Sequence, residues 1–210
     1  SDLSSTTATL TWTAAPTNPS NGYQYEVRTS GAPGSGATGL AASGTTAAGV
    51  TTVNITGLTP NTAYTYYVRS DCGGSDFSEW ASYAFTTPCD PIAVPFAEDF
   101  AAYSTTFPPN CWSSNDPTSL TGQSPSAYGT GSGSAMFDFY NAATGTELDL
   151  VSPLFAPSPA GWGLVFDHAY ATFSGEVDSL RIMYSTSGGA SFSYLASYAG
   201  GLGGPLNTGG

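Results

Sequence analysis

Three cysteines carry the most definite covalent chemistry in this chain, and their odd number leaves at least one unpaired within it. If Tyr64–Asp71 and Ser82–Thr87 form a hairpin, Cys72 lies at its turn end. Cys89 then lies beyond the opposite end, about 25 Å away at ~3.3 Å per residue. A disulfide needs Cα atoms within about 7 Å, so Cys89–Cys111 is the predicted pair, with three free thiols as the alternative. A bridge implies an oxidising, extracytoplasmic compartment.

The acidic residues are the next candidates for chemistry, because 15 Asp and Glu face only 3 Arg and no Lys. Acids without basic partners are either solvated or share a cation, and both alternatives stay open. Calcium takes six to eight oxygen ligands, so it is the cofactor that this composition allows. Glu98 and Asp99 are adjacent, so as strand residues they could not both enter one site. The candidate calcium donors are Glu98, Asp99, Asp138, Asp149 and Asp167.

The single histidine, His168, decides whether histidine-based catalysis is available. It alternates with Leu164, Phe166 and Tyr170, which places it on an apolar face and predicts a packed side chain rather than a general base. The sequence has no G-x-S-x-G motif. Its glycine-rich stretches lack the lysine of a phosphate-binding loop. We therefore predict no catalytic residue, and a protein that is not an enzyme.

Aromatic side chains and one sequon are candidate contacts with sugars. Exposed aromatic rings stack on glycans, although most aromatic residues serve core packing. The candidate carbohydrate-binding residues are Trp80, Trp112, Trp162 and Tyr103. Asn54-Ile55-Thr56 fits the N-glycosylation pattern, which makes Asn54 a candidate acceptor.

The net charge of −12 excludes two classes of partner. Nucleic acid needs clustered Lys and Arg to neutralise phosphates, and an anionic membrane surface needs the same. No apolar run approaches the ~18 residues that span a bilayer. Predicted partners are therefore other copies of the chain, surface proteins or glycans.

Short alternating runs must position these residues, and they predict an all-β chain. In the first part the runs are Thr7–Thr13, Tyr23–Arg28, Val53–Ile55, Tyr64–Val68 and Ser82–Thr87. Each has one apolar face, as half-buried strands require. Two prolines around Cys89 mark a boundary, which divides the chain into residues 1–88 and 89–210.

The first part resembles a fibronectin type III domain, an immunoglobulin-like sandwich. The resemblance rests on Leu10-Thr11-Trp12, on Tyr23–Val27 and on Leu58-Thr59-Pro60-Asn61-Thr62-Ala63-Tyr64 followed by Val68. It implies that the Tyr64 hydroxyl bonds to backbone upstream, as in related sandwiches. It also implies a first strand that precedes Ser1, which would leave a hydrophobic groove and an unpaired strand.

The second part is predicted to contain further strands: Pro95–Phe100, Ala135–Tyr140, Glu147–Val151, Trp162–Tyr170, Val177–Tyr184 and Phe192–Tyr198. The order of the motifs Pro95–Phe100, Phe107–Trp112, Leu150–Pro153, Phe166–Tyr170 and Tyr184–Gly189 resembles the MAM-like jelly-roll modules of secreted bacterial surface proteins. These are also called cleaved-adhesin or choice-of-anchor modules, and they are often exported by the type IX route. The resemblance implies a second sandwich whose last strands lie beyond Gly210.

Two local motifs of the second part resemble known short patterns. Asp178-Ser179-Leu180 fits the O-glycosylation pattern of the same bacterial group, which makes Ser179 a candidate acceptor. Ser185–Phe192 is similar to the Asp-box hairpin of sialidases and occurs once. It predicts a tight turn in which Gly188 and Gly189 have positive φ.

The expected protein is a non-catalytic, extracellular surface module of two tandem antiparallel sandwiches. Its expected role is adhesion, spacing or filament assembly through protein contacts, including strand donation. The alternative is a carbohydrate-binding accessory region of a secreted hydrolase or protease. Calcium is the one cofactor considered.

Overall fold

The computed structural model describes residues 2–101, 107–116, 118, 120–123, 133–140, 142–157, 163–172 and 177–208. The chain divides into two compact units, Ser1–Asp90 and Pro91–Gly210. All regular elements of the described residues are β-strands, which confirms the all-β fold class. Within the same residues, no helix has the length and apolar character needed to cross a membrane.

The first unit is built from antiparallel strands in two sheets. Its strands are β1 (Thr7–Thr11), β2 (Tyr23–Arg28), β3 (Leu40–Thr46), β4 (Thr52–Thr56), β5 (Ala63–Gly73), β6 (Asp76–Phe77) and β7 (Ala81–Thr86). One sheet pairs β1 with β4, and the other has the order β3-β2-β5-β7, with β6 pairing with the end of β5. The antiparallel pairing of β5 with β7 confirms the predicted neighbourhood of those two runs.

Strand β3 is the one long strand of this unit that the sequence did not predict. Its residues, Leu-Ala-Ala-Ser-Gly-Thr-Thr, are small and mostly polar, so they lack the bulky alternation that marks a strand. It pairs with β2 from Tyr23–Thr46 to Arg28–Leu40. Strand β3 therefore forms because it pairs with β2, and the local propensity of its residues does not account for it.

The apolar faces of the two sheets meet in one core. Ala8, Leu10, Val27, Ile55, Leu58 and Tyr64 are buried together there. All of them except Leu58, which lies between β4 and β5, are on the inward faces of strands, as the period-two pattern predicted. Fully burying one Leu- or Ile-sized side chain is worth about 1.5–3 kcal/mol, so this cluster is the main stabilising element of the unit.

The corner before β5 contributes Leu58 and Tyr64 to the core. The Thr59 N–H donates to the Tyr64 hydroxyl at 2.9 Å, which confirms the contact implied by the resemblance. Asn61 takes a positive φ of 45° in the turn. The buried Thr87 hydroxyl donates to the Thr59 carbonyl at 2.7 Å and accepts from the Thr62 N–H at 3.0 Å. Thr87 thus ties the corner to the end of β7, a role that the sequence analysis missed.

A buried ion pair fixes the connection between β2 and β3. The Arg28 side chain is 1% exposed and pairs with Glu26 through Nε and Oε2 at 2.5 Å. It also donates to the carbonyls of Gly36 and Thr38, at 2.8 and 3.2 Å. Glu26 accepts from the Gly34 N–H in return. Removing one member of a buried pair typically costs 3–5 kcal/mol, so this loop is held firmly despite its Gly and Ser content.

The described residues of the second unit form three separate antiparallel pairs of strands. They are β8 (Ser113–Ser114), β9 (Leu120–Gln123), β10 (Ser134–Phe137), β11 (Leu150–Val151), β12 (Ser179–Tyr184) and β13 (Ser193–Ala199). The pairs are β9 with β10, β8 with β11, and β12 with β13. A parallel bridge joins Ile92 to Phe155. The described part of this unit is therefore all-β, whereas its jelly-roll order stays a prediction.

Two predicted strands of this unit are wrong. Residues 95–100 are not a strand, because the Glu98 and Asp99 carboxylates accept the N–H groups of Phe100 and Ala101 and turn the chain. The described residues 163–170 are not a strand either. Leu164 and Val165 are 65% and 93% exposed, so no buried face selects the extended pairing there.

The predicted turn of the second unit is confirmed. Gly188 and Gly189 have φ values of 68° and 88°, and they lie between the paired strands β12 and β13. The Ser185 hydroxyl accepts the Gly189 N–H at 2.9 Å, and the Ser187 hydroxyl accepts the Ser191 N–H at 3.0 Å. Serine therefore organises this hairpin where an Asp-box has its aspartate.

Replacing Tyr64 with Phe should lower the free energy of unfolding by about 1–3 kcal/mol, because the Thr59 N–H loses its acceptor inside the corner. Guanidinium unfolding measures the change. Tyr67→Phe is the matched control, since no described residue forms a hydrogen bond with the Tyr67 hydroxyl. Equal losses in the two variants would contradict the assignment.

Candidate functional site

The outer edge of β1 is the most distinctive surface of the first unit. Strand β4 pairs with the inner edge of β1, and the Trp12 N–H also bonds on that side, to Thr51. Because backbone groups alternate along a strand, those of Thr7, Thr9 and Thr11 point outward. The chain's own start covers part of this edge: Ser4 donates to the Thr7 carbonyl, and Thr9 donates to the Asp2 carbonyl.

This pairing stops before Thr11. The Thr11 carbonyl accepts a hydrogen bond from the Tyr66 hydroxyl at 2.8 Å. Among the described residues, no group accepts a hydrogen bond from the Thr11 N–H. Strand β7 lies at the edge of the facing sheet and pairs there with β5 alone. The sandwich is therefore open on one side, between the end of β1 and the start of β7.

A groove of about 440 Å³ occupies this opening. We call it the edge groove, and the lining residues that matter here are Thr11, Trp12, Thr13, Tyr66, Ser82 and Tyr83. The Tyr66 and Tyr83 rings lie 5.9 Å apart, and Tyr83 is 64% exposed. The Trp12 indole N–H is buried and has no acceptor among the described residues. The groove thus combines an aromatic wall with a free backbone donor.

Two residues shape the lining through their aromatic contacts. Trp12 packs edge-on against Tyr23 with ring centroids 5.5 Å apart. The Tyr23 hydroxyl accepts the Ala15 N–H at 2.9 Å, which holds the chain after β1. Burial raises the pKa of the Tyr66 hydroxyl above its ordinary value of 10.0, and the neighbouring Tyr83 adds to the rise. Tyr66 therefore stays a neutral donor to Thr11 throughout the neutral range.

Trp80 borders this region, but an intramolecular contact engages it. The Arg69 guanidinium lies over the Phe77 ring at 3.9 Å and over the Trp80 ring at 4.5 Å. Gln24 Oε1 accepts from the same guanidinium at 2.8 and 3.0 Å. Cation–π contacts are worth about 0.5–2 kcal/mol each. Arg69 therefore engages Trp80, a predicted glycan-stacking residue, in a local cluster.

Of the other predicted carbohydrate-binding residues, Trp112 lies among the described residues. Trp112 packs edge-on against Phe100 at 5.5 Å and belongs to the second unit. Trp162 and Tyr103 lie outside the described residues.

The predicted calcium donors are not brought together. In the described part of the chain, no group of three or more His, Cys, Asp or Glu side chains could hold a metal ion. Glu98 and Asp99 accept backbone N–H groups of their own turn instead. Asp167 is exposed. Sequence spacing did not reveal these local bonds, because a carboxylate that can bond to its own backbone turn looks the same in sequence as one on a strand.

His168 lies between the rings of Phe166 and Tyr198, at centroid distances of 6.2 and 6.3 Å. Its Nε2 atom is buried, and no described residue bonds to it. The predicted apolar setting is therefore found only locally, because Phe166 itself is 39% exposed.

The two candidate glycosylation sites are both on exposed residues. Asn54 lies within β4, where its side chain accepts from the Thr9 hydroxyl at 2.9 Å. Ser179 begins β12, opposite Ala199.

Comparison with known proteins addresses the first unit. Residues 1–83 match the family model "Fibronectin type III domain". A solved structure described as a computer-based redesign of a beta sandwich protein is 25% identical. The alignment covers 42% of this chain and 87% of that one, with a TM-score of 0.36. No curated protein matches the chain.

One of the three cysteines lies within the residues that match the fibronectin type III model, and the other two lie beyond them. Cys89 and Cys111 are disulfide-bonded, whereas Cys72, at the end of β5, is free and exposed. These are the two cysteines that the hairpin argument paired.

Replacing both Cys89 and Cys111 with Ser should lower the free energy of unfolding by about 3 kcal/mol, because the loop that they close is freed in the unfolded chain. Cys72→Ser should leave stability unchanged. Thermal unfolding of the oxidised protein measures both variants. A loss in Cys72→Ser as large as in the double variant would refute the assigned bond.

Alkaline pH should destabilise the fibronectin type III domain through Tyr66. Its pKa is higher in the folded state than in the unfolded chain. Its contribution is therefore complete below the unfolded value and is lost as pH rises through the folded value. Unfolding midpoints between about pH 9 and pH 12 should fall less steeply in Tyr66→Phe than in the wild type. Tyr67→Phe serves as the control, and an unchanged slope in Tyr66→Phe would exclude this cause.

Proposed function

We propose that this chain is a non-catalytic extracellular surface module for adhesion, spacing or filament assembly, and that it works by strand addition. A fibronectin type III domain is a common extracellular protein-interaction module. The disulfide supports an oxidising location outside the cytoplasm.

One observation carries this proposal: the outward N–H of Thr11, which no described group accepts. An exposed edge is a template for a strand from another chain, which adds backbone hydrogen bonds for affinity and side-chain pockets for specificity. The edge groove beside Thr11 supplies such a pocket. The chain's start already pairs antiparallel to β1 over Thr7–Thr9, so an added strand that continues this pairing runs in the same direction.

The rest of the described surface supports contact rather than chemistry. The single histidine has its Nε2 buried beside aromatic rings. Two of the three arginines serve structure: Arg28 is buried with Glu26, and Arg69 is stacked on Phe77 and Trp80.

Replacing Thr11 with Pro should abolish the self-association of the chain, because proline removes the outward N–H while an edge strand tolerates it. Sedimentation velocity over a concentration series is the measurement. Thr11→Val keeps the N–H and should associate like the wild type. Circular dichroism checks that both variants are folded.

Two results would count against strand addition between copies. One is a wild type that stays monomeric at every concentration. The other is a folded Thr11→Pro variant that assembles as the wild type does.

A further inference from the structure

Strand β13 of the second unit is a candidate to fill the edge of β1, because it is an edge strand among the described residues. In the described part of the chain β13 pairs with β12 alone. Tyr194 and Leu195 on this strand are 60% and 57% exposed. An exposed apolar edge strand tends to pair with another chain, because its backbone groups and side chains are both left to solvent.

The backbone pattern of β13 shows which of its groups are available. The Gly200 N–H bonds to the Asp178 carbonyl, so alternate residues from Gly200 back to Ala196 point toward β12. Ser197 lies between them and points away. Ala199 also points away, but its carbonyl already accepts the Leu206 N–H at 3.2 Å. Ser197 is thus the clearest donor position on the outer edge.

We propose that β13 of a second copy of this chain adds to the open edge of β1 and places its inward side chains in the edge groove. This rests on the proposed function and names its partner. Successive side chains of the added strand alternate, so one set faces the groove and can cover the exposed Tyr83 ring. The room in the groove, about 440 Å³, suits one or two such side chains.

Charge favours this pair of strands. The whole chain carries −12, so two copies repel each other. Strands β1 and β13 contain no charged residue, so their pairing sets no like charges opposite one another. Salt screens the general repulsion, and the assembly is therefore stronger at higher ionic strength.

The contact joins two different surfaces, so it is heterologous. Each copy offers an acceptor edge on its first unit and a donor edge on its second. Such contacts close into a ring or continue as an open filament. Blocking one edge leaves the other functional, which makes the assignment testable by mixing.

The experiment uses full-length chains that carry Thr11→Pro or Ser197→Pro, with Thr11→Val and Ser197→Val as matched controls. Each Pro variant alone should lose all species larger than the monomer at concentrations where the wild type is assembled. An equimolar mixture of the two should form a discrete 1:1 dimer and no larger species. Thr11→Pro supplies an intact β13, and Ser197→Pro supplies an intact β1. If Ser197→Pro does not fold, Ser197→Asp blocks the same edge by charge.

The outcomes separate this inference from the proposed function. If Thr11→Pro is monomeric but Ser197→Pro assembles like the wild type, β1 accepts a strand and the assignment of β13 is overturned. A mixture that stays monomeric overturns it too. If both Pro variants assemble normally, or if the wild type never assembles, the inference and strand addition between copies fail together. Assembly that weakens as salt is added contradicts the charge argument and the choice of these two strands.

Discussion

The need of every backbone N–H and C=O for a partner governs the layout of this molecule. Inside a sheet the neighbouring strand meets that need, and at the rim something else must. The first unit meets it by several local means. The Tyr64 hydroxyl and the buried Thr87 hydroxyl bond to backbone groups of the corner before β5. Arg28 donates to two carbonyls of the β2–β3 loop. At the outer edge of β1, the Thr11 N–H has no partner of these kinds among the described residues.

The core and the rim of the first unit therefore obey different constraints. The core needs only apolar volume on facing strands, which Leu10, Val27 and Ile55 supply. The rim needs specific partners at specific atoms. Glu26 and Arg28 illustrate this, because these two charged residues bond to the β2–β3 loop, which consists mainly of small residues. The loop gains order that its own sequence would not give it.

Much of the first unit was predictable from the sequence because its strands alternate clearly and its corner has a distinctive spacing. The β1, β2, β5 and β7 runs were found within a few residues, and the Tyr64 contact was anticipated. Strand β3 was missed because pairing with β2, rather than its own side chains, makes it extended.

The second unit was harder to predict, because local side-chain bonds to the backbone replace some of the expected strand pairing. Glu98 and Asp99 looked like strand residues and possible ligands, yet each bonds to a backbone N–H two positions later. Such bonds compete with strand pairing, and no periodic pattern shows which will win. The edge groove was predictable in kind, from the expected unpaired strand, but not in its lining. Tyr66 and Tyr83 come from the facing sheet, and their approach to Thr11 depends on how the two sheets stack.

The placement of the three arginines has a consequence for how proteases act on this molecule. Arg28, Arg69 and Arg181 lie within β2, β5 and β12, and the sequence holds no lysine. A trypsin-like protease needs an extended, accessible segment around a basic residue, and each of these segments is held in a hydrogen-bonded ladder. Digestion by such enzymes must therefore wait for a sheet to open, so the folded module has a built-in resistance to them.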